Sequence, residues 1–419
     1  MLASLRNLWR IEDLRKRIMY TLGIFLIIRF GNFIPVPGAD RLAMTQFMEG
    51  QGGLFGLLDV ISGGALANLS IFTLTIGPYI TSSIIVSLLQ VIIPSWEALA
   101  KEGEEGRKKL NSYTRYGTVI LAFVQGYATS VGLANEGALA AGHLSYLLTA
   151  ISFTAGATVV MWLGEMITEK GIGNGISLVI FANIASQLPG TLTSLIAFLR
   201  EGTLNIFTVV LLGILTLVVI AGVVWVQEGQ RRIPVQYAKR VVGRKMYGGQ
   251  TTHIPLRVNQ AGVIPVIFAS SLLMFPQVIT QFTRAEWVQG IAEALRFGGW
   301  LHNVLYVFLI FVFSYFYTFL QFNPKEMAEN MQKHGGAIPG VRPGRTTADF
   351  LFRVVNRLTL VGSAFLALIV ILPLALSGVV RVNIGIGGTA LLIVVGVALE
   401  TMKQIEGHLV MRNYSGFMK

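Results

Sequence analysis

The chain has 419 residues, of which 53% are hydrophobic and only 13% are charged, and its formal net charge is +12. Because roughly a quarter of the residues of a soluble globular protein are charged, this composition excludes an ordinary soluble domain. The sequence contains no cysteine, which excludes disulfides and cysteine nucleophiles.

Apolar runs long enough to cross a bilayer recur along the chain and predict ten membrane-spanning helices. The first run ends in Pro35 and Pro37 and is followed by more runs, so it predicts a retained span and not a cleaved signal peptide. The fold class predicted is an all-α polytopic membrane protein. Its spans are predicted at 18–36, 70–93, 114–134, 144–167, 173–192, 205–226, 260–281, 301–322, 358–378 and 384–402.

The basic residues lie almost entirely on one side of this predicted topology. Since Lys and Arg concentrate in cytoplasmic loops, both termini are predicted to be cytoplasmic. Adding or removing one span would move every later loop to the other side and mix the basic residues between the two sides, which supports the count of ten. Arg29 lies inside the first span, near its outer end, and is interpreted as an interfacial anchor. The basic residues on the outer side are Arg41, Arg200, Arg284, Arg296 and Arg381.

Residues 54–70, between the first two predicted spans, are apolar but short, and they are interrupted by Gly63 and Gly64. Two interpretations remain open: a segment that re-enters the membrane from outside, or a helix that lies in the interface. Broken segments at membrane depth occur only where they are buried in protein or line a water-filled cavity. A re-entrant segment here therefore implies an internal cavity.

Two glycine-rich segments superficially resemble nucleotide-binding loops. Lys170-Gly-Ile-Gly-Asn-Gly175 has no preceding strand, and Gly103-Glu-Glu-Gly-Arg-Lys-Lys109 lacks the spacing and the Ser or Thr of a phosphate loop. The first is better explained as the tight turn of a helical hairpin. The five histidines lack metal-ligand spacing, and the spans contain no paired carboxylates or Ser/His pair. We therefore predict no enzymatic activity, no cofactor and no metal site.

Two long cytoplasmic loops, about 227–260 and 323–357, carry an excess of positive charge. Orientation and attraction to anionic lipid account for some of this charge. The excess favours docking of a polyanionic or acidic partner. In the second loop, Gly340-Val-Arg-Pro-Gly344 predicts a rigid turn that presents Arg342. The main cations of the two loops are Arg231, Arg232, Lys239, Arg240, Arg244, Lys245, Arg257, Lys325, Lys333, Arg342 and Arg345.

Ile76, Ile80 and Ile84 recur every four residues in the second span and so share one helical face. From the residues alone, this face is interpreted as a lipid-facing or helix-packing stripe. The main functional alternative is a secondary transporter of a small solute, which would also have about ten helices. Such a transporter normally needs ionisable groups near the midplane, whereas Glu165 and Glu400 fall near helix ends.

Nearly the whole chain resembles the SecY family, whose members form the pore of the bacterial Sec protein translocon. The segments that carry the resemblance occur in order along the chain and are together highly specific. They are Phe33-Ile-Pro-Val-Pro-Gly38, Ser62-Gly-Gly-Ala-Leu66, Lys101-Glu-Gly-Glu-Glu-Gly-Arg107, Tyr113-Thr-Arg-Tyr-Gly117, Gly171-Ile-Gly-Asn-Gly-Ile-Ser177, Gly229-Gln-Arg-Arg232, Tyr237-Ala-Lys-Arg240, Asn259-Gln-Ala-Gly-Val-Ile-Pro265, Asn323-Pro324 and Pro339-Gly-Val-Arg-Pro-Gly344.

The resemblance implies an hourglass channel of two inverted-repeat halves with five helices each, residues 1–200 and 201–419. It implies a constriction ring, which replaces the packing interpretation of the isoleucine stripe, and a plug within 54–70 that seals the outer vestibule. An apolar collar gives an extended polypeptide a yielding seal and resists wetting when empty. The implied ring is Ile76, Ile80, Ile180, Ile267 and Ile393. The implied plug includes Leu57, Asp59, Ile61, Ser62, Gly63, Gly64, Ala65 and Leu66.

The resemblance further implies a passive pore for unfolded secretory polypeptides that also opens sideways, between the second and seventh helices, into lipid. Implied partners are SecE, SecG, the SecA motor, the ribosome, nascent chains and membrane lipids, without sequence-specific nucleic-acid binding. SecA or the ribosome would supply the energy, and the implied location is the bacterial inner membrane. The C-terminal tail, ending at Lys419, is shorter than is usual in the family. The implied docking residues are Arg231, Arg232, Lys239, Arg240, Arg244, Lys245, Arg342 and Arg345.

Overall fold

A computed structural model describes most of the chain, and its helices follow the order of the predicted spans. The residues described are 11–40, 44, 59, 62–135, 137–140, 142–202, 205–237, 240–242, 245–247, 251–280, 286–295, 299–380 and 388–415. The helices of the first half are α1 (Glu12–Gly31), α2 (Gly77–Ile92), α3 (Pro94–Lys101), α4 (Glu104–Asn135), α5 (His143–Lys170) and α6 (Gly175–Arg200).

The second half continues with a long helix, a β-hairpin and six more helices. Its helices are α7 (Ile206–Glu228), α8 (Ile264–Thr280), α9 (Glu286–Ala294), α10 (Trp300–Gln321), α11 (Pro324–Lys333), α12 (Arg345–Val380) and α13 (Gly388–Ser415). Its strands are β1 (Gln230–Tyr237), β2 (Arg240–Val242), β3 (Lys245–Tyr247), β4 (Thr251–Arg257) and β5 (Gly336–Ala337).

Each of the ten predicted spans overlaps one of these helices. Among the described residues, six helices are long and apolar enough to cross a membrane: α4, α5, α6, α7, α10 and α12. The pair α2 and α3 counts as a seventh if it is taken as one span, although it bends by 102° between Ile92 and Pro94. The chain is thus a polytopic helical membrane protein.

The second predicted span was wrong in its beginning, which the sequence placed at residue 70. Residues 71–76 form turns, and α2 begins only at Gly77, with Pro78 in its first turn. Proline suits that position because the first amides of a helix have no intrahelical acceptor. Apolarity alone does not separate the buried turns before Gly77 from the helix after it, since both are built from apolar residues.

One continuous apolar core joins the two halves of the chain. Buried side chains from α1, α2, α5 and α6 pack with others from α7, α8, α10, α12 and α13. Between the halves, α2 contacts α8 and α6 contacts α13. The outward faces are apolar as well, and exposed residues such as Leu217 on α7, which is 67% exposed, suit contact with lipid.

The glycine-rich segment between α5 and α6 forms a tight turn, as the sequence predicts. Gly173 has a φ of +87°, and the side chain of Asn174 caps α6 by accepting a hydrogen bond of 3.2 Å from the Ser177 amide. At Gly175, a Cβ atom would collide with the carbonyl oxygen of Gly164 in α5. The glycine therefore lets two helices approach backbone to backbone.

We expect Gly175→Ala to destabilise the protein, because the carbonyl that the added methyl would strike belongs to a packed helix backbone. Overpacking of this kind costs about 1–3 kcal/mol. Gly213→Ala is the matched control, since a Cβ atom at this glycine of α7 would meet no atom within 4 Å. Melting temperatures in detergent should fall for the first variant and stay level for the second. Equal melting temperatures would contradict the close approach.

Candidate functional site

The five isoleucines of the implied ring all lie in the main core. Ile76 immediately precedes α2, Ile80 belongs to α2, Ile180 to α6, Ile267 to α8 and Ile393 to α13. Four of them are buried, with exposed fractions from 1% to 9%, and Ile267 is partly buried against the same cluster. Side chains from both halves of the chain thus belong to one apolar cluster.

Ile76 stands at the junction between the irregular segment and α2. Its carbonyl oxygen accepts a 3.0 Å hydrogen bond from the Ile80 amide, so the two side chains follow one another by one helical turn. The residue before it, Thr75, has a φ of +46°, which is uncommon for a β-branched residue. The segment that precedes α2 therefore joins the isoleucine cluster without a linker.

That irregular segment, described at Asp59 and from Ser62 to Ile76, satisfies several of its polar groups by hydrogen bonds within itself. The Asp59 carboxylate accepts a 2.9 Å hydrogen bond from the Ala67 amide. The hydroxyl of Thr73 donates to the carbonyl oxygens of Ser70 and Ala65. Non-helical backbone is tolerated at membrane depth only when buried in protein. These contacts favour a re-entrant segment over a helix lying in the interface.

Close approaches fix this segment against the helices of the first half. A Cβ atom on Gly31 of α1 would collide with the ring of Phe72, and one on Gly156 of α5 would collide with the carbonyl oxygen of Ile71. The Val36 amide also donates a 2.9 Å hydrogen bond to the Leu69 carbonyl oxygen. Two of the implied plug residues, Leu57 and Ile61, lie outside the described residues. The others belong to this irregular segment: Asp59, Ser62, Gly63, Gly64, Ala65 and Leu66.

The sequence alone gave Asp59 no partner. The structure places it beside α6, where the side-chain amide of Gln187 lies 3.4 Å from its second oxygen.

The two basic loops, which the sequence treats as separate, are joined in one sheet. Strand β1 pairs antiparallel with β4, with Gln230 opposite Arg257, and pairs on its other edge with β5 from the second loop. Ile233 and Val235 point into a small core with α11 and α12. The sequence analysis missed these strands, although the alternation of buried Ile233 and Val235 with exposed neighbours is the usual strand signal.

The docking cations implied by resemblance are exposed wherever their side chains are described. Arg231 and Arg232 lie on β1, and Arg342 and Arg345 lie at the turn before α12. The predicted turn is confirmed: Gly340 and Gly344 have positive φ, and the Arg342 carbonyl accepts a 2.8 Å hydrogen bond from Thr347. Lys239 and Arg244 lie outside the described residues, and Arg240 and Lys245 are described only by their backbone in β2 and β3.

A groove of about 1300 Å³ opens beside this sheet. Strands β1 and β4 form one wall, α10 and α11 another, and the segment from α2 to the start of α4 the third. Its lining mixes aromatic rings with polar and acidic groups, including Tyr237, Tyr315, Phe316, Phe319, Glu97 and Glu326. Aromatic rings bring a large apolar area to the groove, and the tyrosines add a hydroxyl that can form hydrogen bonds.

Arg29 and Asn32 are the site residues that sequence reasoning missed. Arg29 reaches the irregular segment, where its Nη1 donates to the Gly63 carbonyl oxygen at 2.6 Å. Asn32, which is 2% exposed, donates to the Ser62 carbonyl oxygen at 3.3 Å. Interpreting Arg29 only as an interfacial anchor therefore leaves out its nearest partner. A lone arginine within an apolar span was the signal that could have pointed to it.

Comparison with known proteins places these features in a family. The sequence model of SecY matches residues 70–402. The protein translocase subunit SecY of Halalkalibacterium halodurans is 47% identical over 435 residues, covering 100% of both chains. That of Thermotoga maritima is 43% identical over 430 residues, covering 100% of this chain and 98% of the relative. The chain therefore belongs to the SecY family.

Solved structures agree on the fold. A protein-conducting channel matches with a TM-score of 0.68 at 22% identity, covering 94% of this chain and 93% of that one. A SecY protein whose plug domain is described as stabilising the closed channel matches with a TM-score of 0.66 at 23% identity, covering 94% and 92%. Canine Sec61 in a ribosome–channel complex matches with a TM-score of 0.65 at 19% identity, covering 94% and 93%.

Proposed function

We propose that this chain is the pore-forming subunit of a protein translocase, a passive channel that passes unfolded polypeptides across the membrane. The observation that carries the proposal is one apolar cluster, contributed by both halves of a SecY-family chain, that contains Ile76, Ile80, Ile180 and Ile393 and has Ile267 packed against it. An apolar ring offers a moving chain no hydrogen bonds to hold it, and it resists wetting when empty. One ring thus supplies both passage and seal.

The plug in this proposal is the segment 54–70, of which the structure describes Asp59 and residues 62–70. It blocks the outer side of the isoleucine cluster, and its displacement opens the pore. Since residues 70–76 connect it directly to Ile76, movement of the plug and widening of the ring are mechanically linked. The two inverted halves, residues 1–200 and 201–419, move apart at the isoleucine ring. Helix α2 then separates from α8, which releases transmembrane segments into lipid.

Partners supply the driving energy. The groove beside the β-sheet receives the incoming polypeptide, and the exposed arginines of β1 and of the turn before α12 dock the ribosome or the SecA motor. Ribosome-bound relatives of the same fold support the first of these partners. SecE and SecG complete the complex, in the bacterial inner membrane with both termini cytoplasmic. The family membership disfavours the secondary transporter, and the family is one of protein-translocation channels and not of enzymes.

Cross-linking tests the pore directly. The chain has no cysteine, so Ile76→Cys or Ile267→Cys places a single thiol in the ring. We expect either variant to cross-link to a secretory precursor stalled in the complete translocase. Leu217→Cys, on the exposed face of α7, is the control and should not cross-link. If no ring position yields a product, the pore assignment is refuted.

A further inference from the structure

Arg29 makes three contacts, one of which is to the backbone of the plug. Its Nη1 donates to the Gly63 carbonyl oxygen at 2.6 Å and to the Ser186 hydroxyl of α6 at 3.2 Å. Its guanidinium carbon lies 5.1 Å from the centre of the Phe33 ring. One cation therefore bridges α1, α6 and the plug, while the ring of Phe33 holds the guanidinium in place.

Asn32, about one helical turn after Arg29, also donates a hydrogen bond to the plug backbone. Its side-chain amide donates to the carbonyl oxygen of Ser62, the residue before Gly63. Two successive carbonyls of the plug thus accept hydrogen bonds from the last turn of α1. Both bonds go to the plug backbone, so they depend on where the plug lies and little on its side chains.

The opposite wall of the plug lies against α6 with little space to spare. A Cβ atom on Gly63 would be 3.0 Å from the Cα atom of Asn183, and one on Gly64 would be 3.1 Å from the side-chain nitrogen of Gln187. Both glycines have positive φ, +70° and +85°. The plug backbone thus packs closely against α6, and the Gly63 carbonyl oxygen accepts its hydrogen bond from Arg29 of α1.

The geometry points to Arg29 as the positioning residue that latches the plug shut and so sets how readily the channel opens. This inference rests on the proposed function, since it assumes that the segment is a plug. The latch is a charge-assisted hydrogen bond, which is roughly twice as strong as a neutral one. Displacing the plug breaks this bond and leaves a cation near the outer end of a span with fewer partners.

Two single-residue changes separate a latch from a membrane anchor. Arg29→Gln removes the charge and shortens the side chain. Arg29→Lys keeps a positive charge but loses the planar guanidinium group, which can donate several hydrogen bonds at once. The matched control is Arg200→Gln, which removes an arginine from the last turn of α6, about 21 Å beyond Ser186 at the rise of an α-helix. An anchor role makes Arg29→Lys equivalent to the parent and gives Arg29→Gln and Arg200→Gln similar, small effects on plug exposure.

Plug exposure is read from a single cysteine. Ser62→Cys introduces the only thiol of the chain at a position that is 2% exposed. In the complete translocase in vesicles, a membrane-impermeant thiol reagent should label this cysteine slowly. We expect Arg29→Gln to raise the labelling rate by about tenfold, as loss of one charge-assisted bond predicts. Arg29→Lys should give an intermediate rate, and Arg200→Gln should give no change.

The outcomes distinguish the latch from the plug itself. A translocating precursor should raise labelling of Ser62→Cys in the parent background; if it does not, the plug assignment fails. If the precursor raises labelling but Arg29→Gln labels no faster than Arg200→Gln, only the latch is overturned. Should Arg29→Gln fail to accumulate in the membrane, Arg29→Lys decides the question, and a parental labelling rate for that variant overturns the latch.

Discussion

Exchanging Ile80 for asparagine is expected to make the resting channel leak small ions. Ile80 is 9% exposed within the isoleucine cluster, and an amide there would attract water into a constriction that apolar side chains keep dry. In vesicles that contain the complete translocase, halide influx through the variant should rise by on the order of tenfold or more as dewetting is lost. Ile80→Val, which keeps the site apolar, should leave the influx near the parent level.

A polar group in any core destabilises a protein, so the leak needs a matched control. Ile84 lies one helical turn farther along α2, is 5% exposed and belongs to the same core, but it is outside the proposed ring. Ile84→Asn should destabilise the protein by roughly the same 1–3 kcal/mol as Ile80→Asn, from burial of an unsatisfied amide. Ile84→Asn should not raise the halide influx through the resting channel. Equal leaks from the two variants would show that the loss of stability, and not the ring, admits the ions.

The order of helices could be predicted from the sequence because lipid imposes one strong rule. Every span must satisfy its own backbone and present apolar side chains, so long apolar runs identify helices almost independently of their neighbours. The same rule explains the error before α2. Residues 71–76 are mostly apolar and are buried or partly buried, yet they form turns packed on α1 and α5, which periodicity in one sequence cannot reveal.

The candidate site was less accessible to sequence reasoning, because its parts meet only in three dimensions. Ile180 and Ile393 lie more than 200 residues apart, and by their own sequence they resemble the other isoleucines of their helices. Only the family resemblance selected them, and the structure then placed them in one buried cluster. The partner of Arg29 was equally hidden, since a backbone carbonyl has no identity in a sequence.

The β-sheet was missed for a different reason. Charge dominated the interpretation of residues 227–260, and the seven cations of this loop favoured docking of a partner without indicating where strands would form. The strands β1 and β4 instead form a ladder from Gln230 to Gln236, and β5 ties the second loop to its edge. The exposed arginines therefore stand on a small framework with its own apolar core, which holds them at fixed spacing.

Because the exposed arginines are held at a fixed spacing, we expect their substitution to have a large effect on docking of the partner. The double variant Arg231→Glu/Arg232→Glu is expected to lose most of its affinity for the ribosome while still inserting into the membrane. If both arginines contact phosphates, the slope of log affinity against log salt should fall by about two, and affinity at physiological salt should drop by roughly tenfold or more. Binding of purified ribosomes to the complete translocase at several salt concentrations measures both quantities.

A control has to show that the loss does not come from net charge alone, because a basic surface attracts any polyanion. Lys16→Glu/Lys108→Glu makes the same change of charge on the same predicted side of the membrane, at exposed positions of α1 and α4. This control should lower affinity only slightly and leave the salt slope nearly unchanged, since neither lysine is among the proposed docking residues and only cations that contact phosphates contribute to the slope. A control that weakens binding as much as the double variant would assign docking to the overall field and not to the arginines of β1.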